Sequence, residues 1–301
     1  MNPQGVGIAF VVATKDRPGS LARLLGSLEA QTVLPAEIVV VDGGVESVES
    51  VCRADRSFQV RHLRCLPPSS TRQRNAGIAA VGSDAALVGL LDDDVVLDRL
   101  ALEAMMTFWT MAGADVGGAA FNMTNHPPLR AARWKSLPFV EHAGIYGRKP
   151  GAVLKSGFQT MIGTVAETMP TAWLPSGAVV WRREVLRRLK FDEWFSDYGY
   201  LEDLDFSYRV GKSLVLKVVA GARYTHNPQA SSRLDPFCFG RKEVANRLYF
   251  VRKNPELSPG LCRLTLCLRM LMSVAEGILH GEGSELRRAR GNLVSLLDGG
   301  H

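Results

Sequence analysis

Apolar positions in the first third of the chain follow two alternating periods. Residues 7–13 (GIAFVVA), 37–41 (EIVVV) and 85–91 (AALVGLL) are short, nearly continuous apolar runs, the pattern of strands buried on both faces, and 60–63 (VRHL) reads as a weaker strand among them. Between them, residues 17–31 place Leu21, Leu24, Leu25 and Leu28 on one helical face with Pro18 near the start, and 71–81 and 98–111 also read as helices. This alternation predicts an α/β fold with a mostly parallel sheet covered by helices. From 122 to 170 both periods fade into a stretch rich in Gly, Pro and aromatics, the expected signature of a mobile acceptor loop. Regularity returns at 178–181 (strand), 182–189 (helix), 202–210 (helix) and 214–219 (strand). The tail from Gly260 is helical in character.

The 301 residues are 46% hydrophobic and 22% charged, ordinary globular composition with chain enough for a large core. The net charge of +6 suits an anionic small molecule or a lipid surface. No Lys/Arg stripe with interleaved aromatics is present, so nucleic acid is not an expected partner. Five cysteines lack C-x-x-C spacing, which favours a reducing, cytoplasmic setting over a disulfide framework or zinc site. Neither a signal peptide nor a spanning helix is expected.

Ligands of open parallel sheets bind beyond the carboxyl ends of the strands. Three polar groups end the predicted strands there: Thr14-Lys15-Asp16, Asp42-Gly43-Gly44 and Asp92-Asp93-Asp94. Three adjacent aspartates repel one another unless a cation neutralises them, and a hard divalent ion takes carboxylates together with substrate phosphates. On an extended segment Asp92 and Asp94 point the same way and Asp93 the other. A solvated turn with a helix cap is the plainer alternative. A second acidic group, Glu202, Asp203 and Asp205, opens a predicted helix, where the macrodipole alone would favour it.

Arg74-Asn75-Ala76-Gly77 followed by Leu90-Leu91-Asp92-Asp93-Asp94 resembles the R-N-x-G and L-D-D-D stretch of glycosyltransferase family 2. The opening 11–18 (VVATKDRP), the run 37–44 (EIVVVDGG), Trp173 to Ala178 (WLPSGA) and the block 199–209 (GYLEDLDFSYR) resemble that family's other motifs, in order, over roughly residues 7 to 255. The resemblance implies a GT-A fold: 1–121 as the nucleotide-sugar half, 122–255 as the acceptor half, and 256–301 as a helical tail. It implies that Thr14, Asp42, Asp92, Asp93 and Arg72 or Arg74 contact the donor. Asp94, with Asp92 and His226, would hold Mn2+ or Mg2+, and Asp203, with Glu202 beside it, would serve as general base. Gly43 stands where the family usually has a second aspartate, Ala13 replaces a proline and Lys15 an aromatic, which leaves UDP, dTDP and GDP all open as donor nucleotides.

The expected reaction is inverting transfer of a sugar to the hydroxyl of a glycan, glycolipid or small-molecule acceptor, in cell-surface polysaccharide assembly by family analogy. A sugar-phosphate nucleotidyltransferase is the rival enzyme class, although 11–17 has no Gly-rich phosphate loop; a non-catalytic sugar-nucleotide-binding module is the third reading. Arg241, Arg247 and Arg252 recur in an aromatic-rich stretch that suits either a phosphate-bearing ligand or a solvated helix face. In the tail, Leu261, Leu264, Leu268, Leu271, Ala275 and Ile278 fall at helical spacing. That helix could pack on its own domain, pair with a second copy in a homodimer, or lie on the inner face of a membrane, with Arg287, Arg288 and Arg290 adding attraction to anionic lipid.

Overall fold

The computed structural model describes residues 7–127, 144, 146–196, 199–228 and 234–300. The chain divides into two compact units: Met1–Pro128 with Ile162–Gln229, and Leu129–Met161 with Ala230–His301.

The first unit is a mixed sheet with helices on it. Strands β1 (Ile8–Thr14), β2 (Glu37–Asp42), β3 (Val60–Arg64) and β4 (Leu87–Asp92) pair in parallel in the order β3-β2-β1-β4. Of these, β1, β2 and β4 are the apolar runs expected from sequence, and β3 is the weaker strand expected at 60–63, only partly buried. Helices α1 (Pro18–Glu29), α2 (Glu49–Cys52), α3 (Ser70–Ala80) and α4 (Ala101–Met111) fall between or after them. The face of α1 reads as predicted: Leu21, Leu24, Leu25 and Leu28 are fully buried, each contributing about 1.5–3 kcal/mol from the area removed from water. A charge at Leu24 would break that packing.

Beyond β4 the sheet continues through β8 (Ala178–Arg182), β6 (Val116–Met123), β9 (Val215–His226) and β5 (Val95–Leu97), with β7 (Met169–Thr171) paired to β9. Here β8 runs antiparallel to β4 and β6, so the sheet is mostly rather than wholly parallel. Two short helices belong to this half, α5 (Arg183–Arg188) and α6 (Glu202–Gly211). Two apolar layers fill the two faces: Phe10, Leu24, Val40 and Met105 on one, Val11, Val39, Trp181 and Phe206 on the other.

The second unit is helical: α7 (Pro236–Lys253), α8 (Pro259–His280) and α9 (Gly283–Leu297), with the 144–161 segment. Residues 236–255 therefore belong with the tail helices and not with the sheet, so the compact units do not divide at 255 as the sequence suggests. The physical reason is that Gly240 and Gly291 let the α7 and α9 backbones approach closely; a Cβ on Gly291 would lie 2.1 Å from the Phe237 carbonyl oxygen. Much of the expected acceptor loop, including 128–143, lies outside the described residues. No described helix is long and apolar enough to cross a membrane. Cys52, Cys65, Cys238, Cys262 and Cys267 are all free thiols.

Candidate active site

Parallel register brings the strand ends together. Thr14 lies opposite Asp42 across β1 and β2, and Ala13 opposite Asp92 across β1 and β4. Asp92 ends β4, and Asp93 and Asp94 form the turn before β5, so the alternation expected of an extended segment does not hold there and both reach Arg17. Asp93 turns toward the β1 loop, where Thr14 Oγ1 donates to it at 2.6 Å and Arg17 at 2.9 Å. Burial pushes the Asp93 carboxyl up to about 6, against the Thr14 bond and the Arg17 charge. Asp92 faces Arg74 at 3.0 Å. Asp94 faces His226 at 3.2 Å, with Arg17 at 3.6 Å. Burial would raise Asp94, but the His226 hydrogen bond and charge outweigh it and hold the carboxyl below its usual range. The same bond raises His226.

Asp42 is fully buried and closes its own loop, accepting from the Gly44 amide (2.8 Å), the Val48 amide (3.1 Å) and Arg64 (2.6 Å). Burial pushes its carboxyl up, but these donors outweigh that and keep it low. In this state the side chains of Thr14 and Asp42 are committed to protein partners. Gln73 locks the same strand ends, donating to the carbonyl oxygens of Thr14 (2.9 Å) and Val41 (2.8 Å).

Helix α3 carries the connection to the second acidic group. It sits against the sheet because Gly77 has no side chain: a Cβ there would lie 2.2 Å from Val11 Cγ1. That approach delivers Arg74 and Asn75. Asn75 Nδ2 donates to the Phe191 carbonyl (2.9 Å) and its Oδ1 accepts from the Phe191 amide (3.0 Å), anchoring the segment that leads into α6. Buried Arg74 donates to Asp92 and, at 2.6 Å, to Glu202, with its guanidinium over the Phe191 ring. Burial works against its charge, yet Glu202 and Asp92 raise its affinity for the proton.

The first turn of α6 presents both carboxylates. Leu201, immediately before it, has φ 74°, a left-handed conformation strained for a bulky side chain. Burial pushes Glu202 up to about 8 against the pull of Arg74. Asp203 is also raised, chiefly by desolvation, although it accepts a hydrogen bond from the Leu204 amide at 2.7 Å. Asp205 lies on the buried side, pairing with Arg209 at 3.0 Å, and belongs to the packing of the helix.

His226 reaches the site at the end of β9, a strand longer than its apolar run suggests. Past a register shift between Phe121 and Asn122, β9 stays paired with β6 as far as Tyr224, and on its other edge it pairs with β5, where His226 lies opposite Val95, next to Asp94. Among the expected site residues, Arg74 joins Asp92 to Glu202, with Asp203 next in sequence, while Asp93 and Asp94 share Arg17 and Asp94 meets His226; the charge of Asp92 acts on both groups. Arg72 is apart from them, donating to the Pro67 carbonyl at 3.1 Å. Sequence reasoning did not single out Arg17, Gln73 or Asn75 as site residues, although all three lie in or beside the quoted motifs. No group of three or more His, Cys, Asp or Glu among the described residues forms a ready-made metal cage. In the second unit Arg247 is buried, donating to the Gly157 carbonyl (2.6 Å) and Gln159 (2.8 Å), which rules out a solvated face for it.

The family model Glycosyl transferase family 2 matches residues 9–162. The chain belongs to glycosyltransferase family 2. This glycosyltransferase has the GT-A fold of solved relatives at low identity. It is similar to S. aureus TarS 1-349 in complex with UDP-GlcNAc (TM-score 0.56, 14% identity, 86% of this chain and 70% of that one). It is similar also to GalNAc-T7 with UDP, GalNAc and Mn2+ (TM-score 0.62, 14% identity, 83% and 48%). Against the longer S. aureus TarS chain it spans 42% of the length, at TM-score 0.55 and 14% identity. No curated protein sequence matches it.

Proposed function

We propose that this family 2 glycosyltransferase moves a sugar from a UDP, dTDP or GDP donor to an acceptor hydroxyl with inversion, assisted by Mn2+ or Mg2+. The observation that carries the reading is Arg74, one buried guanidinium joining Asp92 at the end of β4 to Glu202 beside Asp203. Strand-end carboxylates and a candidate base thereby share one site. The solved relatives bound to UDP-GlcNAc, and to UDP with Mn2+, support the donor class and the use of a divalent ion.

Asp94 and His226, with Asp92 beside them, fit such an ion. Carboxylate oxygen and imidazole nitrogen suit Mn2+, and two or three protein ligands leave positions for diphosphate oxygens. When bound, the ion supplies positive charge that stabilises the leaving diphosphate. Thr14, Asp42 and Asp93 shape the loops over which the nucleoside lies, and Arg72 and Arg74 supply positive charge near it.

Asp203 takes the proton from the acceptor hydroxyl. A neutral hydroxyl is a poor nucleophile, and a carboxylate whose proton affinity is raised by desolvation is a better acceptor for that proton. Glu202 is committed to Arg74, which leaves Asp203 as the freer base. Attack opposite the departing diphosphate inverts the anomeric carbon, through a transition state with oxocarbenium character. The acceptor is a glycan, glycolipid or small molecule, and the setting is cytoplasmic synthesis of cell-surface glycan.

The test is a panel of nucleotide sugars with Mn2+, read first as thermal stabilisation and then as products. Free nucleoside diphosphate and an inverted linkage support the reading. Pyrophosphate release would assign the nucleotidyltransferase class, and binding without turnover on any acceptor would assign a binding module.

A further inference from the structure

We infer that the helical unit carries a docking face for an anionic lipid bilayer, formed by the outer sides of α8 and α9. Helix α8 is apolar on two opposite faces. Cys262, Leu266, Ser273 and Gly277 are buried within the unit. On the far side Leu264, Leu268, Leu271, Ala275 and Ile278 recur at spacings of four and three. Leu271 is 59% and Ile278 69% exposed. Arg263, Arg269 and Glu276 interrupt the helix, so this exposed stripe makes it amphipathic, the pattern of a helix that lies at an interface. On α9, Leu293 and Leu297 are also exposed, at 45% and 78%, while Leu286 packs against Gly277 of α8. Exposed large apolar side chains repeated along a helix in this way mark an interaction surface.

Charge decides the occupant. The residues of this unit include 17 Lys and Arg against 8 Asp and Glu, a net +9, whereas the sheet unit has 19 against 22, a net −3. A second copy would bring two strongly cationic units together, and like charges facing one another weaken such pairing. An anionic surface gains from the same charge. Exposed Arg290 on α9 holds its guanidinium over the Phe237 ring, 5.8 Å from its centroid. At a bilayer such an arginine lays its stem along the apolar layer while the guanidinium reaches the headgroups. Arg263 sits exposed at the start of α8 in the same way. The face lies on a helix too polar to span, so the contact is interfacial.

The test is flotation of the full chain with vesicles of phosphatidylcholine alone or mixed with phosphatidylglycerol. It needs neither donor nor acceptor, so it is independent of the transfer reaction. Association is expected with the anionic vesicles and should weaken with salt. Leu271→Glu with Ile278→Glu should abolish it, both positions being exposed so that the circular dichroism of the fold is unchanged. Arg290→Ala should lower anionic-vesicle partitioning about fivefold while leaving binding to neutral vesicles alone. Absence of flotation with anionic vesicles, or flotation indifferent to the double glutamate variant, would overturn the inference. So would a concentration-dependent doubling of mass that Leu271→Glu removes in place of vesicle binding, which would give the face to a second copy.

Discussion

Two buried glutamates face arginines in this protein, and they behave in opposite ways. Glu202, on α6, meets Arg74 at 2.6 Å, yet burial drives its carboxyl up to about 8. Glu243, on α7, accepts from Arg288 at 2.9 and 3.1 Å and from Asn292 at 3.1 Å, with Arg269 at 3.5 Å; there burial is outweighed and the carboxyl is held low. The difference is stoichiometry. Around Arg74 three acids (Asp92, Glu202 and Asp203) share one cation, so desolvation and mutual repulsion leave proton affinity to spare. Around Glu243 one acid has two cations and an amide, and its charge is fully compensated. A surplus of acids over cations is a poor way to stabilise a fold and a good way to make a base. The reverse ratio pins α7, α8 and α9 together and gives no acid–base chemistry.

The largest effect that would break the comparison is at Asp203. Asp203→Asn should lower kcat about a thousandfold, the weight of a positioned general base, while calorimetry shows donor binding retained. Because the folded protein already disfavours the charge at Asp203, removing it should leave the melting temperature unchanged or raise it. A functional role and a structural cost thus make opposite stability predictions. If Asp203→Asn destabilises strongly and turnover survives, Asp203 belongs with Glu243 and the proposed base is wrong.

Next in size is Arg74. Arg74→Ala leaves Asp92, Glu202 and Asp203 facing one another without their shared cation, and a misplaced base should cost about a hundredfold in kcat. Arg74→Lys restores one charge but cannot reach two carboxylates with a planar fork, so rescue should be partial. Steady-state kinetics check both, with the loss in kcat exceeding any rise in KM for the donor.

Much of the site was legible in the sequence. The parallel core could be read because β1, β2 and β4 are buried on both faces and therefore continuously apolar. The carboxylate group could be read because it ends such a strand. The strands β5, β6 and β7 could not: β5 and β7 are only three residues long, and β6 (VGGAAFNM) has small residues where β-branched ones would mark a strand. Those glycines are there because Gly118 passes against Trp181, where a Cβ would lie 2.4 Å from the ring. Arg74 was visible as a site residue, but its partners were not. Expected to meet base or phosphate, it instead joins acids 18 and 128 positions away in sequence. Likewise α7 has an apolar pattern too mixed to announce itself, because Glu243, Asn246 and Arg247 are buried polar residues, and the partners of Glu243 and Arg247 lie elsewhere in the chain.

At Glu243 the comparison turns from catalysis to stability, and the effects become smaller. Glu243→Gln keeps the shape but removes the charge that Arg288 and Arg269 share, which should cost about 2 kcal/mol, the weight of hydrogen bonds to a charged group. Hydrogen exchange in α7 and α9 should quicken while kcat is unchanged. The smallest effect is the pH dependence of the same group. Its folded carboxyl is held below the usual value of about 4.3. The unfolded chain therefore takes up the proton first as pH falls, and the stabilisation, complete above that value, is lost as pH descends through the folded one. Urea unfolding of the wild type should show this acid decline in the helical unit, and Glu243→Gln should flatten it. Glu202 has the opposite shift, so Glu202→Gln should not flatten the acid decline, and a mutant that did so would show that compensated and uncompensated acids are not separated as the geometry requires.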